Sequence, residues 1–224
     1  MKHEIVKGTV LSARIIPQVQ KELAESLKLR DDQKSLLVFT SDADDIAYIS
    51  IDEATKMSDV EVVYGESTWA GSANMNTDLA GDAILMLAGP DPAEVKTALE
   101  TIEGVHNGDD VHFIDVSDHE DGCLIYLTYC IARTGSYLSK LYGIEEGEPM
   151  AYCVAPPMEN VYAADLAGKA ANVRLIDLEV GPSPTNFGAA FFTGSQSACQ
   201  AACNAYAQAV EEVSACHVQG VDYA

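Results

Sequence analysis

Two stretches of this chain repeat one another, and that repetition limits the possible fold more than any other feature. Gly188 to Val213 reads as a short buried strand, a turn at Gly194, Ser195 and Gln196, and a helix with small or apolar residues at Ala198, Ala202, Tyr206, Ala209 and Val213. Those steps place one compact stripe on a helix face, and its alanines let another backbone come close. Gly81 to Ile102 has the same construction, with Gly89 matching Gly194 and Ala93 matching Ala198 at a separation of 105. Upstream, Asp52 to Val60 (DEATKMSDV) matches Asp165 to Val173 (DLAGKAANV) at a separation of 113. Val10 to Leu29 similarly resembles Ile125 to Ile144. The chain is one domain written twice, expected at 1–107 and 108–224, each of roughly 100 residues and able to hold its own core. Strands alternate with helices in both halves, so the class is α/β or α+β. Function is to be sought where the halves differ.

Charge narrows the partners. The 224 residues carry 35 acidic and 13 basic side chains, a formal net charge of −22. Such a surface repels phosphate backbones and anionic headgroups, which argues against nucleic acid and membrane as partners. Self-association has to bring neutral or mixed patches together, and a pore lined by this chain favours cations. Adaptation to a salty habitat is the alternative source of the acidity. No stretch approaches the roughly 20 apolar residues of a membrane span, and MKHEIVKG lacks the apolar run of a secretory signal. The expectation is a soluble intracellular protein, with its six unevenly spaced cysteines reduced.

Along the first half, Val10–Ile16, Ser35–Thr40 and Val60–Tyr64 are strand candidates, and Asp52 is placed to cap a helix beginning there. Gly65 to Gly81 is a long Gly, Ser and Asn-rich stretch holding the only tryptophan, Trp69, and Gly181 to Gly188 is its shorter counterpart. Asp42 and Asp44 follow an apolar strand, as in phosphohydrolases with a nucleophilic aspartate, but no downstream acidic pair completes a magnesium site. Cys199 and Cys203 lie one helical turn apart, a spacing that can contribute to metal or iron–sulfur ligation, but no further ligands follow at a recognisable spacing and a small apolar face uses cysteine much as it uses alanine. His106, His112 and His119 fall in an acidic junction and read as surface residues. Neither a nucleophilic triad nor a phosphate-cradling glycine motif is present. The expectation is a protein without catalytic residues, metal or cofactor.

The repeats, taken with Ser41–Tyr48 (SDADDIAY), Val60–Gly65 (VEVVYG), Arg133–Lys140 (RTGSYLSK), Met150–Pro157 (MAYCVAPP) and Phe192–Asn204 (FTGSQSACQAACN), resemble the tandem-domain bacterial microcompartment shell proteins, and among them the ethanolamine-utilisation subfamily. The resemblance implies two circularly permuted shell domains per chain and a homotrimer forming a flat pseudohexamer. It implies further a gated central pore for small polar metabolites, and association with other shell proteins in the cytoplasm. Carried onto this sequence, the pore loops include Trp69, Ala70, Gly71, Ser183, Thr185, Asn186 and Phe187. Trp69 and Phe187 are then either pore plugs or ordinary packed aromatics. An acidic pocket for an ethanolamine-like amine falls on Asp44, Asp45 and Asp82. A shell trimer of a choline, ethanol or propanediol compartment, an Asp-dependent phosphohydrolase and an electron-transfer protein with a pore-bound cluster are the rival readings.

Overall fold

The computed structural model describes residues 3–68, 79, 81–117, 124–181 and 183–216. The first half gives β1 (Glu4–Val6), β2 (Val10–Ile16), α1 (Lys21–Ser26), β3 (Ser35–Ser41), α2 (Asp44–Met57), β4 (Glu61–Ser67), β5 (Ala83–Gly89) and α3 (Pro92–Asn107). The second gives β6 (Phe113–Asp115), β7 (Ile125–Ile131), α4 (Ser136–Tyr142), β8 (Met150–Ala155), α5 (Pro157–Ala170), β9 (Val173–Glu179), β10 (Gly188–Gly194) and α6 (Gln196–Ala215). In space the chain forms two compact units. The first holds the described residues of 7–111 and 133–147, and the second those of 1–6, 112–132 and 148–224. The division at 107/108 follows chain order, whereas each unit takes a segment from the other half of the sequence.

The duplication is visible strand by strand. The first unit has an antiparallel sheet in the order β2-β3-β5-β4, and the second repeats it as β7-β8-β10-β9, with β6 and then β1 added outside β7. Even an irregularity is copied. Val63 is the extra residue of β4 opposite Leu87 and Met86, and Ile176 is the extra residue of β9 opposite Phe191 and Phe192. A bulge of this kind bends the edge strand and raises its twist. The matched glycines have one shared cause: a Cβ at Gly89 would stand 3.1 Å from Asp59 O, and one at Gly194 would stand 3.0 Å from Asn172 O.

Each core lies between a sheet and its helix pair. In the first unit Leu37, Phe39, Leu85 and Leu87 meet Ala47, Ile51, Val95 and Ala98. The loop bearing α1 packs Val19, Ala24 and Leu27 against Leu36 and Ala88 in a separate cluster. In the second unit the alanines of α5 and α6 pack with Cys199, Cys203 and Tyr206 under Ala151, Cys153 and Phe192. Ala202, Tyr206 and Ala209 are buried as the stripe predicts, but Cys199 and Val210 share its centre, while Ala198 and Val213 sit at its edge. Asn160 is fully buried among these apolar groups. It accepts from Tyr206 Oη at 2.7 Å and donates to Glu179 O and Ala189 O at 3.0 and 3.4 Å, so its polar atoms are satisfied.

Asp52 departs from its expected role. Helix α2 begins at Asp44, so Asp52 lies in mid-helix, and its carboxylate receives another segment instead of capping its own. Gly135 N–H donates to Oδ2 at 2.7 Å and Leu138 N–H to Oδ1 at 2.9 Å, which satisfies the first turn of α4. Thr55 Oγ1 accepts from Ser136 N–H at 3.1 Å, and Lys56 donates to Arg133 O at 2.8 Å. A Cβ at Gly135 would collide with Thr55 Oγ1 and Asp52 O. Burial raises the Asp52 pKa, while the two amide donors and Lys56 oppose that rise. Asp52→Ala leaves two buried N–H groups without their acceptor and removes a carboxylate beside Lys56, and is expected to lower the unfolding free energy by about 3 kcal/mol in urea denaturation. A loss below about 0.5 kcal/mol would show that the lobe is held by packing alone.

Candidate functional site

The residues expected to hold an amine come together at one end of the first unit's sheet. Strand β3 ends at Ser41, a turn follows at Asp42 and Ala43, and α2 opens with Asp44 and Asp45. Asp42 Oδ1 accepts from Thr9 N–H at 2.5 Å, so this carboxylate closes the turn onto the start of β2. Asp82, the residue before β5, donates its N–H to Ser41 O at 2.7 Å and accepts from Thr68 N–H at 2.6 Å through its own carbonyl. Antiparallel pairing of β3 with β5 and of β4 with β5 thus places Asp44, Asp45 and Asp82 beside the same strand ends.

Asp44 and Asp45 are 6% and 8% exposed although charged. Their position in the first turn of α2 places negative charge where the helix dipole is positive, and Asp44 Oδ1 accepts from Asp45 N–H at 3.0 Å. One turn along the same helix face stands Tyr48, whose hydroxyl shares a 2.8 Å hydrogen bond with Ser67 at the end of β4. Burial pushes the Tyr48 phenol up to about 12, and the charges of Asp44, Asp45 and Glu66 push in the same direction. Tyr48 therefore keeps its proton at neutral pH. The Tyr137 ring of the docked lobe stacks beside it, centroids 6.2 Å apart.

Tyr48 and Ser67 were not among the expected site residues, and Glu66 was placed in a loop where the structure has strand. The i, i+4 spacing from Asp44 to Tyr48 was the available signal. Carboxylates gathered around neutral hydroxyls can receive a small cation that also carries a hydroxyl. Asp42, the candidate nucleophile, is committed to the backbone of Thr9.

The second unit carries the loop between β9 and β10. Ser183 N–H donates to Phe187 O and Asn186 N–H donates to Ser183 O, both at 2.9 Å. Ser183 Oγ accepts from Phe187 N–H at 3.1 Å and shares a 2.9 Å hydrogen bond with Thr185. Asn186 adopts φ 68°, the left-handed geometry that this tight loop requires. Phe187 packs on Phe113, ring centroids 5.5 Å apart. Trp69, Ala70 and Gly71 lie outside the described residues, as does His119.

The cysteines lie where a small apolar helix face would use them, and one histidine does not lie where it was expected. Cys199 and Cys203 share the second unit's core with Cys153, with Cys130 packed at its margin. Burial pushes the thiols of Cys153 and Cys199 up, and that of Cys130 to about 11, so these three are protonated at neutral pH and poor as thiolate ligands. Among the described residues no group of three or more His, Cys, Asp or Glu is arranged to hold a metal. His106, expected at the surface, is buried on α3. Its Nδ1–H donates to Ile102 O at 2.9 Å, which leaves Nε2 to accept from Ser41 Oγ at 3.1 Å.

Comparison with known proteins bears on both halves. A family profile described as BMC domain matches residues 155–220. Over 215 residues the chain is 49% identical to "Bacterial microcompartment shell protein EutL" of Clostridium perfringens, covering 96% of this chain and 97% of that protein. It is 45% identical to the protein of the same name from Escherichia coli, covering 94% and 95%. The crystal structure of ethanolamine utilization protein EutL from Leptotrichia buccalis superimposes with a TM-score of 0.92 at 46% identity, covering 98% of this chain and all of that one. No helix among the described residues is long and apolar enough to cross a membrane.

The buried histidine gives a pH dependence. Burial lowers its pKa below the ordinary 6.5, partly opposed by the bond to Ile102 and the charge of Asp42. The unfolded chain then takes up the proton first, so this group's contribution is present above pH 6.5 and is lost as pH falls through the folded value. Unfolding free energies measured between pH 7 and pH 5 are expected to decline less in His106→Asn than in the natural chain. Parallel slopes would place the acid sensitivity elsewhere.

Proposed function

This chain belongs to the EutL family of bacterial microcompartment shell proteins, and on that premise we propose that it is a structural, non-enzymatic subunit of the shell enclosing an ethanolamine-utilising compartment in the bacterial cytoplasm. The observation that carries this reading is the extent of the match: identity of 49% runs over 96% of the chain, through both halves of the duplication. The phosphohydrolase and cluster-bearing readings are set aside, since the relatives are named as shell proteins.

In the proposed assembly three chains associate as a homotrimer and their six halves, 1–107 and 108–224 of each, form a flat pseudohexamer that meets other shell proteins at its rim. The stretches 66–77, with Trp69, Ala70 and Gly71, and 180–187, with Ser183, Thr185, Asn186 and Phe187, line its central passage. Small polar metabolites cross there, and the net charge of −22 supports a preference for cationic or neutral ones. Asp44, Asp45 and Asp82 receive the ammonium of an ethanolamine-like amine, with the hydroxyls of Tyr48 and Ser67 within the same cluster. Their meeting at one set of strand ends supports this assignment.

Light scattering at moderate salt is expected to give three times the 23.9 kDa chain mass. A monomer at every concentration would refute the assembly. Titration calorimetry with ethanolamine is expected to show binding that Asp45→Asn weakens about tenfold, the loss of roughly 1.4 kcal/mol. Trimers that bind no ethanolamine would leave a shell subunit of another compartment.

A further inference from the structure

A buried histidine adjoins the turn that carries the proposed amine site. His106 of α3 is 3% exposed, and its Nε2 accepts from Ser41 Oγ at 3.1 Å while its Nδ1–H is held by Ile102 O at 2.9 Å. Ser41 in turn touches both arms of the acidic cluster. Its hydroxyl accepts from Ala43 N–H at 3.2 Å, just before Asp44 and Asp45, and its carbonyl accepts from Asp82 N–H at 2.7 Å. Packing here is close: a Cβ at Gly8 would stand 2.9 Å from Ala43 Cβ and 3.4 Å from His106 Cδ2. The histidine and the acidic turn also occur together. In the second half, at separations of 105, 113 and 113, Glu211, Val154 and Pro157 stand where His106, Ser41 and Asp44 stand in the first.

We propose that His106, acting through Ser41, makes the amine site sensitive to pH: the neutral imidazole belongs to the amine-binding form, and its protonation releases the amine. The inference rests on the amine site proposed above and adds its regulation. The Ser41 hydroxyl has one proton to give, and with neutral His106 it goes to Nε2. When Nε2 gains a proton it becomes a donor to Oγ. The hydroxyl proton must then turn to Ala43 O, 3.2 Å away, the carbonyl that also accepts from Ala47 N–H at 3.0 Å in the first turn of α2. The turn is repolarised, and a positive charge beside it competes with the ammonium for the field of the same carboxylates. Burial holds the His106 pKa below the ordinary 6.5, so the ring is neutral at pH 7. The charged groups around it are Asp42, which favours the protonated ring, Asp44 and Asp45 at the start of α2, Asp82 ahead of β5, and Lys7, which meets Asp109 at 2.6 Å. Strands β3 and β5 contribute no titratable residue, and Arg14 of β2 and Glu103 of α3 are exposed. Linkage makes the effect mutual: a bound amine lowers the His106 proton affinity by the same factor that protonation lowers the amine affinity.

Calorimetry and NMR test it. Ethanolamine, an ammonium ion throughout this range, is titrated into the natural chain between pH 7 and pH 5. Its affinity is expected to fall by about fivefold more in the natural chain than in His106→Asn, which retains only the fall caused by titration of the carboxylates themselves. In the natural chain, the carbon-13 imidazole signal of His106 is expected to titrate at lower pH with ethanolamine than without. That signal is assigned by its absence in His106→Asn and its change in Ser41→Ala, and the shift is expected to shrink in Ser41→Ala, which keeps the ring and removes its contact. Ethanolamine binding with the same pH dependence in natural and His106→Asn chains, and a His106 titration that ethanolamine does not move, would overturn the coupling and leave the amine site standing. Absence of ethanolamine binding at every pH would overturn the amine site and the coupling with it.

Discussion

A single buried carboxylate organises the first unit. Asp52 has almost no exposed surface and would be costly as an isolated charge. It is accommodated because two amides of α4 converge on its oxygens and Lys56 lies 3.6 Å away. The contact exerts its effect by positioning other groups. Docking of the lobe brings Tyr137 beside Tyr48, and Tyr48 in turn reaches Ser67 at the end of β4, below Asp44 and Asp45. The acidic end of the sheet is therefore braced by a segment that the second half of the sequence contributes.

The halves share a scaffold and diverge at one turn. The strand order, the edge-strand bulge and the glycines that admit a neighbouring carbonyl occur in both. Where the first half opens α2 with Asp44 and Asp45, the second opens α5 with Pro157 and Met158. Proline at the first helical position fixes φ and needs no partner for its missing N–H, and the first turn of α5 carries a single acidic residue, Glu159, in place of the adjacent pair. Concentrated negative charge belongs to one copy, and the amine site is proposed there.

Local periodicity made much of this architecture readable. The turn at Gly194 to Gln196, the strands at Val10 and Ser35 and the paired glycines follow from patterns within a few residues, and the structure has them. Helix α2 was harder. Ile46, Ile49 and Ile51 are all buried, so its apolar residues give no clean amphipathic stripe and the run resembles a strand. Long-range partners were invisible. Asp52 serves Gly135, 83 residues away, and His106 serves Ser41, 65 residues away, so neither role is written in neighbouring sequence. Asp44, Asp45 and Asp82 came from resemblance, and only antiparallel pairing of β5 with β3 explains why residues so separated share a location.

The lobe also sets an order of events during synthesis. A ribosome that has delivered residue 111 has supplied the sheet and both large helices of the first unit, yet Asp52 still lacks the amides that will receive its charge. Those amides emerge at Gly135 and Leu138, after β6 and β7 of the other unit. The first unit is thus interrupted: it is complete only when residue 147 has been made, with β6 and β7 of the other unit already delivered. Separating the halves into two genes would require the second product to find the first before either reached its final form, which gives a physical reason for the fusion to persist.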